Sequence, residues 1–307
     1  MQMHTIDPRH LITLEAVARH GSFAAAADEL ACTQSAVSQQ IAEIERRIGI
    51  RVLDRRPVRI TAAGQVLLQA ELAVRTATAV ALQELSALGE GRAGRVRLGA
   101  FASAAVSVVP HALARFRHTH PDVHVKLTQL EPEMSYAQIL RGDLDLALTF
   151  DYDRAPRRPP ARIRRSLVVK DPVLVVLPVA HRLAGRAQIR LAELADDAWI
   201  GSPVIERPLE LLAELSRTAG FRQRLEFEGD DFETVLGLVD QGLGIALLPK
   251  LVTFRASPRV VAKPLAENPL TRFIYTSRLE TRDAPAVLAA FEQGLAATVR
   301  STLGSGC

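Results

Sequence analysis

Residues 65–88 hold neither glycine nor proline. A run of about 25 residues without a breaker predicts a helix about 37 Å long, too long to fold inside a small helical domain. Leu67, Val74, Ala81 and Leu88 recur at seven-residue intervals along it. Such a stripe asks either for a partner helix or for packing on its own domain. Gly89, Gly91 and Gly94 then form a hinge-like break. The rod divides a chain of 307 residues, a length that suits two or three domains, into unequal parts. The expected organisation is a head over residues 1–64, a linker over 65–93 and a body over 94–303.

Composition removes several classes. With 48% hydrophobic and 23% charged residues, the chain is neither disordered nor fibrous. No apolar run approaches the ~18 residues of a membrane span. His4, Asp7, Arg9 and Glu15 interrupt the N-terminal stretch, so no secretory core is read there and a cytoplasmic location is expected. Cys32 and Cys307 lie far apart without metal-ligand spacing, which predicts free thiols; with neither a His-Glu-x-x-His nor a P-loop motif read, no metal and no cofactor are expected. A net charge of +4 permits a nucleic-acid partner and equally fits a solvated basic surface.

The head reads as three helices. Leu11, Leu14, Val17 and Ala18 mark the first, ended by Gly21. Ser22 can cap the second, an alanine-rich segment at about 23–30 whose small side chains allow close helix approach. After the turn Ala31-Cys32, Thr33 can cap a third helix carrying Val37, Ile41, Ile44 and Ile48 inward and stopped by Gly49. Cys32 is expected in the core. Two helices across a tight turn match the helix-turn-helix pattern. Gln34, Ser35, Ser38 and Gln39 face outward near the start of the third helix, with side chains suited to base edges and phosphates. The same periodicity fits a plain solvated face. Arg46, Arg47, Arg51, Arg55, Arg56 and Arg59 follow, as a phosphate clamp or as ordinary surface, and two short strands around Pro57 suggest a wing.

The body alternates strands and helices. Strands are expected near 96–101, 123–127 and 144–150, with a helix opening near Ser103, restarted or kinked at Pro110, and another at 134–141. A Pro- and Arg-rich loop over 151–165 follows, its arginines taken as solvated. A second series then places strands at 172–179, 225–228, 244–248 and 271–276 and helices at about 206–219, 231–241 and 284–299. The pattern predicts parallel sheets in two α/β lobes, lobe 1 over 94–168 and 269–303, lobe 2 over 169–268. Gly242-Leu243-Gly244 follows a helix and reads as its stop, not as a nucleotide loop, and His181 reads as part of a structural turn.

The head carries Ala24-Ala25-Ala26, Leu30, Thr33-Gln34-Ser35-Ala36-Val37-Ser38-Gln39-Gln40-Ile41, Ile44-Glu45, Ile48-Gly49, Arg55 and Arg59-Ile60-Thr61-Ala62-Ala63-Gly64 in register. This run resembles the winged helix-turn-helix of LysR-type transcriptional regulators. In the body, Pro121-Asp122-Val123, Gly142-Asp143-Leu144-Asp145-Leu146-Ala147 and Gly242-Leu243-Gly244-Ile245-Ala246-Leu247-Leu248-Pro249 are similar to phrases of the same family. The chain departs in having Val52-Leu53 where the family has Leu-Phe, Gln39 where it often has Arg, and a wing about two residues shorter.

The resemblance implies an α/β multidomain protein: a winged helix-turn-helix, a dimerising linker helix, and a two-lobed effector domain resembling type 2 periplasmic binding proteins. Implied partners are double-stranded operator DNA, a small-molecule effector, further copies of the chain as dimer or tetramer, and RNA polymerase, with no membrane. The residues expected on DNA are Gln34, Ser35, Ser38, Gln39, Arg55 and Arg59. Expected on the effector are Ser103, which opens a helix after the first strand of lobe 1, with Thr149, Phe150, Ser202 and Asp231. For each, an ordinary cap or core role is the competing reading. Two other functions remain in view: an α/β enzyme with an accessory helical domain, which lacks a nucleophile–base motif here, and a pure solute-binding protein, which would not need the head.

Overall fold

The structure is a computed structural model that describes residues 6–88, 94–201, 208–229, 231–254, 256–267, 269–281 and 284–304. It divides into two compact units, one holding the head and most of the linker helix, the other the body.

In the first unit, α1 (Pro8–His20) starts at Asp7, whose carboxylate accepts the Arg9 N–H, and stops at Gly21 in the left-handed conformation. α2 (Phe23–Glu29) is capped by the Ser22 hydroxyl and α3 (Gln34–Ile48) by the Thr33 hydroxyl. Ala26 and Ala27 are buried against Leu14, Val17, Val37, Ile41 and Ile44, which realises the close helix approach that the alanines permit. Cys32 is exposed rather than in this core. The alanines fill the space between helices, and the turn holds Cys32 only by its backbone N–H on the Ala27 carbonyl, 3.0 Å away.

The wing is a two-stranded antiparallel ribbon of β1 (Leu53–Arg55) and β2 (Val58–Ile60), joined by Arg56 and Pro57. The long helix α4 (Ala62–Leu88) follows. A Cβ on Gly64 would lie 2.2 Å from the Val52 carbonyl oxygen and 2.3 Å from Ile60 Cδ1, so only glycine lets the helix leave the wing so closely.

The second unit is the α/β body. β3 (Arg95–Ala100) leads into α5 (Ala102–Val106) and α6 (Val108–Thr119). The helix breaks at Ser107, not at Pro110. Pro110 sits in the first turn of α6, where its missing N–H costs nothing, while the Ser107 hydroxyl turns back onto the Ser103 carbonyl. β4 (His124–Gln129), α7 (Pro132–Arg141) and β5 (Leu146–Tyr152) complete a series in which β3 pairs in parallel with both β4 and β5. β6 (Ile163–Pro178) is the longest strand. The loop before it is therefore 153–162, shorter at both ends than the sequence suggests, because the late strand β11 pairs with both β5 and β6 there.

After a short 3-10 turn (Leu191–Leu194) come β7 (Ala198–Gly201), α8 (Pro208–Thr218), β8 (Arg224–Glu228), α9 (Phe232–Asp240), β9 (Ala246–Pro249) and α10 (Lys250–Thr253). β10 (Val260–Pro264), β11 (Thr271–Leu279) and α11 (Ala286–Gly304) close the chain. β7 and β8 are parallel. β6 pairs with β11 through Pro172 and with β9 and β10 from Val173 onward, so this strand passes from one lobe to the other. The largest hydrophobic cluster runs through both lobes, and a second, around Val176, Ile200, Val235 and Leu248, belongs to lobe 2.

Candidate functional site

The first candidate surface is the outer face of α3. Val37, Ile41 and Ile44 are fully buried, which turns Ser35, Gln39 and Ala42 to the other side of the helix and Ser38 to its flank, with Gln34 at the helix's first position. Gln34, Ser35 and Gln39 are exposed and Ser38 is half-buried. The Ser35 hydroxyl lies 2.9 Å from that of Thr33, so the cap fixes one of the outward groups. Gln40 is turned away from this face and bonds Thr13 of α1.

The arginine run is not uniform. Arg46 and Arg47 both bind the Glu43 carboxylate, which they hold below the usual carboxylate range. Arg55 lies 3.6 Å from Glu45 and over the Phe23 ring, 6.0 Å from its centroid. The other Glu45 oxygen accepts the Val52 N–H at 3.0 Å, so one carboxylate pins the start of the wing to α3 and steadies Arg55. Arg51, Arg56 and Arg59 are exposed and make no ion pair among the described residues, which leaves their charge available to phosphates. Arg56 stands in the two-residue wing turn and Arg59 on β2, whereas Arg51 precedes β1.

The second candidate site lies in the body. Ser103 is the second residue of α5, not its cap, and is 1% exposed. Its hydroxyl accepts a hydrogen bond of 3.0 Å from Arg272. Arg272 and Asp171 are both fully buried and paired at 2.6 Å. The guanidinium lies 4.9 Å from the Phe101 ring centroid and 5.3 Å from that of Phe150. Burial pushes the Asp171 carboxyl up, and Arg272 pulls it back. The sequence contains no local signal for this group, because Ser103, Asp171 and Arg272 meet only when β11 pairs with β6 beneath α5.

Phe150 is in the core, edge-on to Phe101 and Tyr152. Thr149 faces the opposite side of the sheet, its hydroxyl 2.7 Å from that of Ser277. Asp231 caps α9, accepting the Thr234 N–H at 2.7 Å, which holds its carboxyl below the usual range. Ser202 lies outside the described residues. The arginines at 151–165 are not all solvated. Arg165 pairs with the buried Asp151 and stacks 3.9 Å from the Tyr275 ring centroid, and Arg157 pairs with Glu133 at 2.9 Å. His181 bonds Asp197 at 3.1 Å in a turn.

Comparison with known proteins covers both units. Residues 8–65 match the family model described as bacterial regulatory helix-turn-helix protein, lysR family. Residues 89–300 match the LysR substrate binding domain. The HTH-type transcriptional regulator MetR of Salmonella typhimurium is 31% identical over 309 residues, covering 98% of this chain and 91% of its own. The Hca operon transcriptional activator HcaR of Escherichia coli is 31% identical over 272 residues, covering 86% and 88%. Among solved structures, full-length OxyR from Pseudomonas aeruginosa has a TM-score of 0.66 at 18% identity, covering 96% of this chain and 95% of that one. Full-length CbnR, crystallised with its target DNA, has a TM-score of 0.59 at 21% identity, covering 95% and 99%. The polar face of α3, the wing and the crossing strands of the body thus occur together in a chain whose two family models fall on the same two units. It belongs to the LysR family of transcriptional regulators.

Proposed function

We propose that this chain binds operator DNA as a homodimer or tetramer in the cytoplasm and that a small molecule between the lobes of its body modulates that binding. The proposed division is residues 1–64 for DNA, 65–93 for linkage and association, and 94–303 for effector binding, in lobes as read from the sequence. The observation that carries the reading is the outer face of α3, with exposed amides and a hydroxyl on a helix whose inner face is fully buried. Gln34, Ser35, Ser38 and Gln39 read base edges or neighbouring phosphates, and Arg55 and Arg59 hold phosphates. A glutamine at position 39 favours adenine, to which an amide can make two hydrogen bonds.

α4 supports self-association. Val66, Ala70, Ala73, Val74, Ala77, Ala81 and Leu85 are exposed along one side of it. Leu67 is not free for this seam, since it packs on the head's own core. Paired heads would read two half-sites, which makes the operator partly palindromic. RNA polymerase at an adjoining promoter would then sense the bound protein.

In the body, Ser103 and Ser202 are the proposed effector contacts. Thr149, Phe150 and Asp231 shape the lobes behind them through their packing and capping bonds. Selection of duplexes from a random library with the full-length chain tests the DNA reading. A shared, partly palindromic sequence is expected, and recovery of unrelated sequences would contradict it. A metabolite thermal-shift screen tests the effector reading, because a ligand that binds only the native state raises the melting temperature.

A further inference from the structure

The buried ion pair between Asp171 and Arg272 sits where β6 leaves one lobe for the other. The two residues are directly opposite in the β6–β11 register, and from Val173, two residues on, β6 pairs with lobe 2 instead. One Asp171 oxygen accepts Arg272 Nε at 3.1 Å and Nη2 at 2.6 Å. The other accepts the backbone N–H of Leu251, at the start of α10 in lobe 2, at 3.2 Å. The same Nη2 also donates to the hydroxyl of Ser103 on α5 in lobe 1 at 3.0 Å. The Arg272–Asp171 pair therefore bonds to both lobes at their crossing point. Two neighbouring contacts run the same way. Lys250 Nζ donates to the Leu303 carbonyl of α11 at 3.2 Å, and Ala102 of α5 packs on the hydrophobic cluster of lobe 2.

A buried ion pair seldom stabilises a fold more than apolar residues of equal volume would, because desolvating two charges offsets their attraction. Its directional bonds do specify geometry. A guanidinium held along its Nε–Nη2 edge by a carboxylate oxygen and lying near two aromatic rings has little freedom, and the groups that it touches inherit that restriction. We propose that Arg272, acting through Asp171 and Ser103, is a positioning residue that sets the relative placement of the two lobes by tying α5 to α10. Its consequence for regulation rests on the effector reading above: a ligand group that competes for the Ser103 hydroxyl loosens the tie, and closure of the lobes then differs between free and bound protein.

The tie itself is tested without an effector. The full-length chain, with Cys32→Ser and Cys307→Ser, receives nitroxide labels at Arg117→Cys on α6 and Arg217→Cys on α8. It is diluted into unlabelled chain so that distances within one protomer are read. The parent is expected to give one narrow distance distribution. Ser103→Ala, and separately the double change Arg272→Met with Asp171→Leu, are expected to give a broadened or two-peaked distribution. Should the double variant fail to fold by near-ultraviolet circular dichroism, Ser103→Ala, which removes a single hydroxyl, decides alone. A parent-like distribution in the folded variants overturns the proposal. Metabolite thermal shifts that are unchanged by Ser103→Ala, alongside a broadened distribution, would instead overturn only the effector reading of Ser103.

Discussion

Three side chains in the head separate specificity from affinity. Losing a base contact costs about 1–3 kcal/mol of discrimination, so Ser38→Ala or Gln39→Ala should relax sequence preference in competition binding. Arg55→Ala should weaken all sequences alike and flatten the salt dependence by about one phosphate contact. Thr33→Ala removes the hydroxyl that accepts the Ala36 N–H, and chemical denaturation should show a loss of about 1 kcal/mol. Glu29 is held down to about 2 from an ordinary 4.5 by Arg19 first and His20 second. A depressed carboxylate contributes stability above pH 4.5 that is lost as pH falls toward 2, so the melting advantage of the parent over Glu29→Gln should vanish across that window. These caps and outward polar groups were legible in the sequence because each acts within four residues. Arg272 was not, since its partners stand 101 and 169 residues away.

Among the elements, α4 carries the clearest consequence. Its breaker-free run foretold a helix, and Ala62–Leu88 is one. Of the seven-residue series, Val74 and Ala81 are exposed, whereas Leu67 packs on the head's own core. Val74 is 47% exposed and central to the stripe. Val74→Asp would place an unpaired charge between paired helices, so sedimentation should show dissociation and operator binding should fall. An intact dimer in that variant would remove α4 from the interface. The strands missing from the sequence reading, β7 and β10, are short and find partners only through the fold: Trp199 pairs with Leu225 and Val261 with Leu177. The helix at Ser103 was legible, but its break at Ser107 depends on a hydroxyl's choice of carbonyl rather than on Pro110.

In the molecule as a whole, a helix-turn-helix head is joined to a LysR substrate binding domain. Such coupling is reciprocal: an effector that changes operator affinity must itself bind with altered affinity when operator is present. A metabolite that raises the melting temperature should therefore shift operator binding, and calorimetry with and without the operator duplex should show the matching change in effector affinity. The α/β series and the helix-turn-helix were readable from period and capping, because both repeat local patterns. The group of Ser103, Asp171 and Arg272 was not, because its members come together only through the pairing of β11 with β6. Whether α3 reads DNA sequence is decided by anisotropy competition between a selected duplex and a scrambled one, using the parent, Gln34→Ala, Ser38→Ala and Gln39→Ala. Strong preference is expected in the parent and reduced preference, with an unchanged salt slope, in Ser38→Ala and Gln39→Ala. Undiminished preference in all three variants would contradict that role for α3.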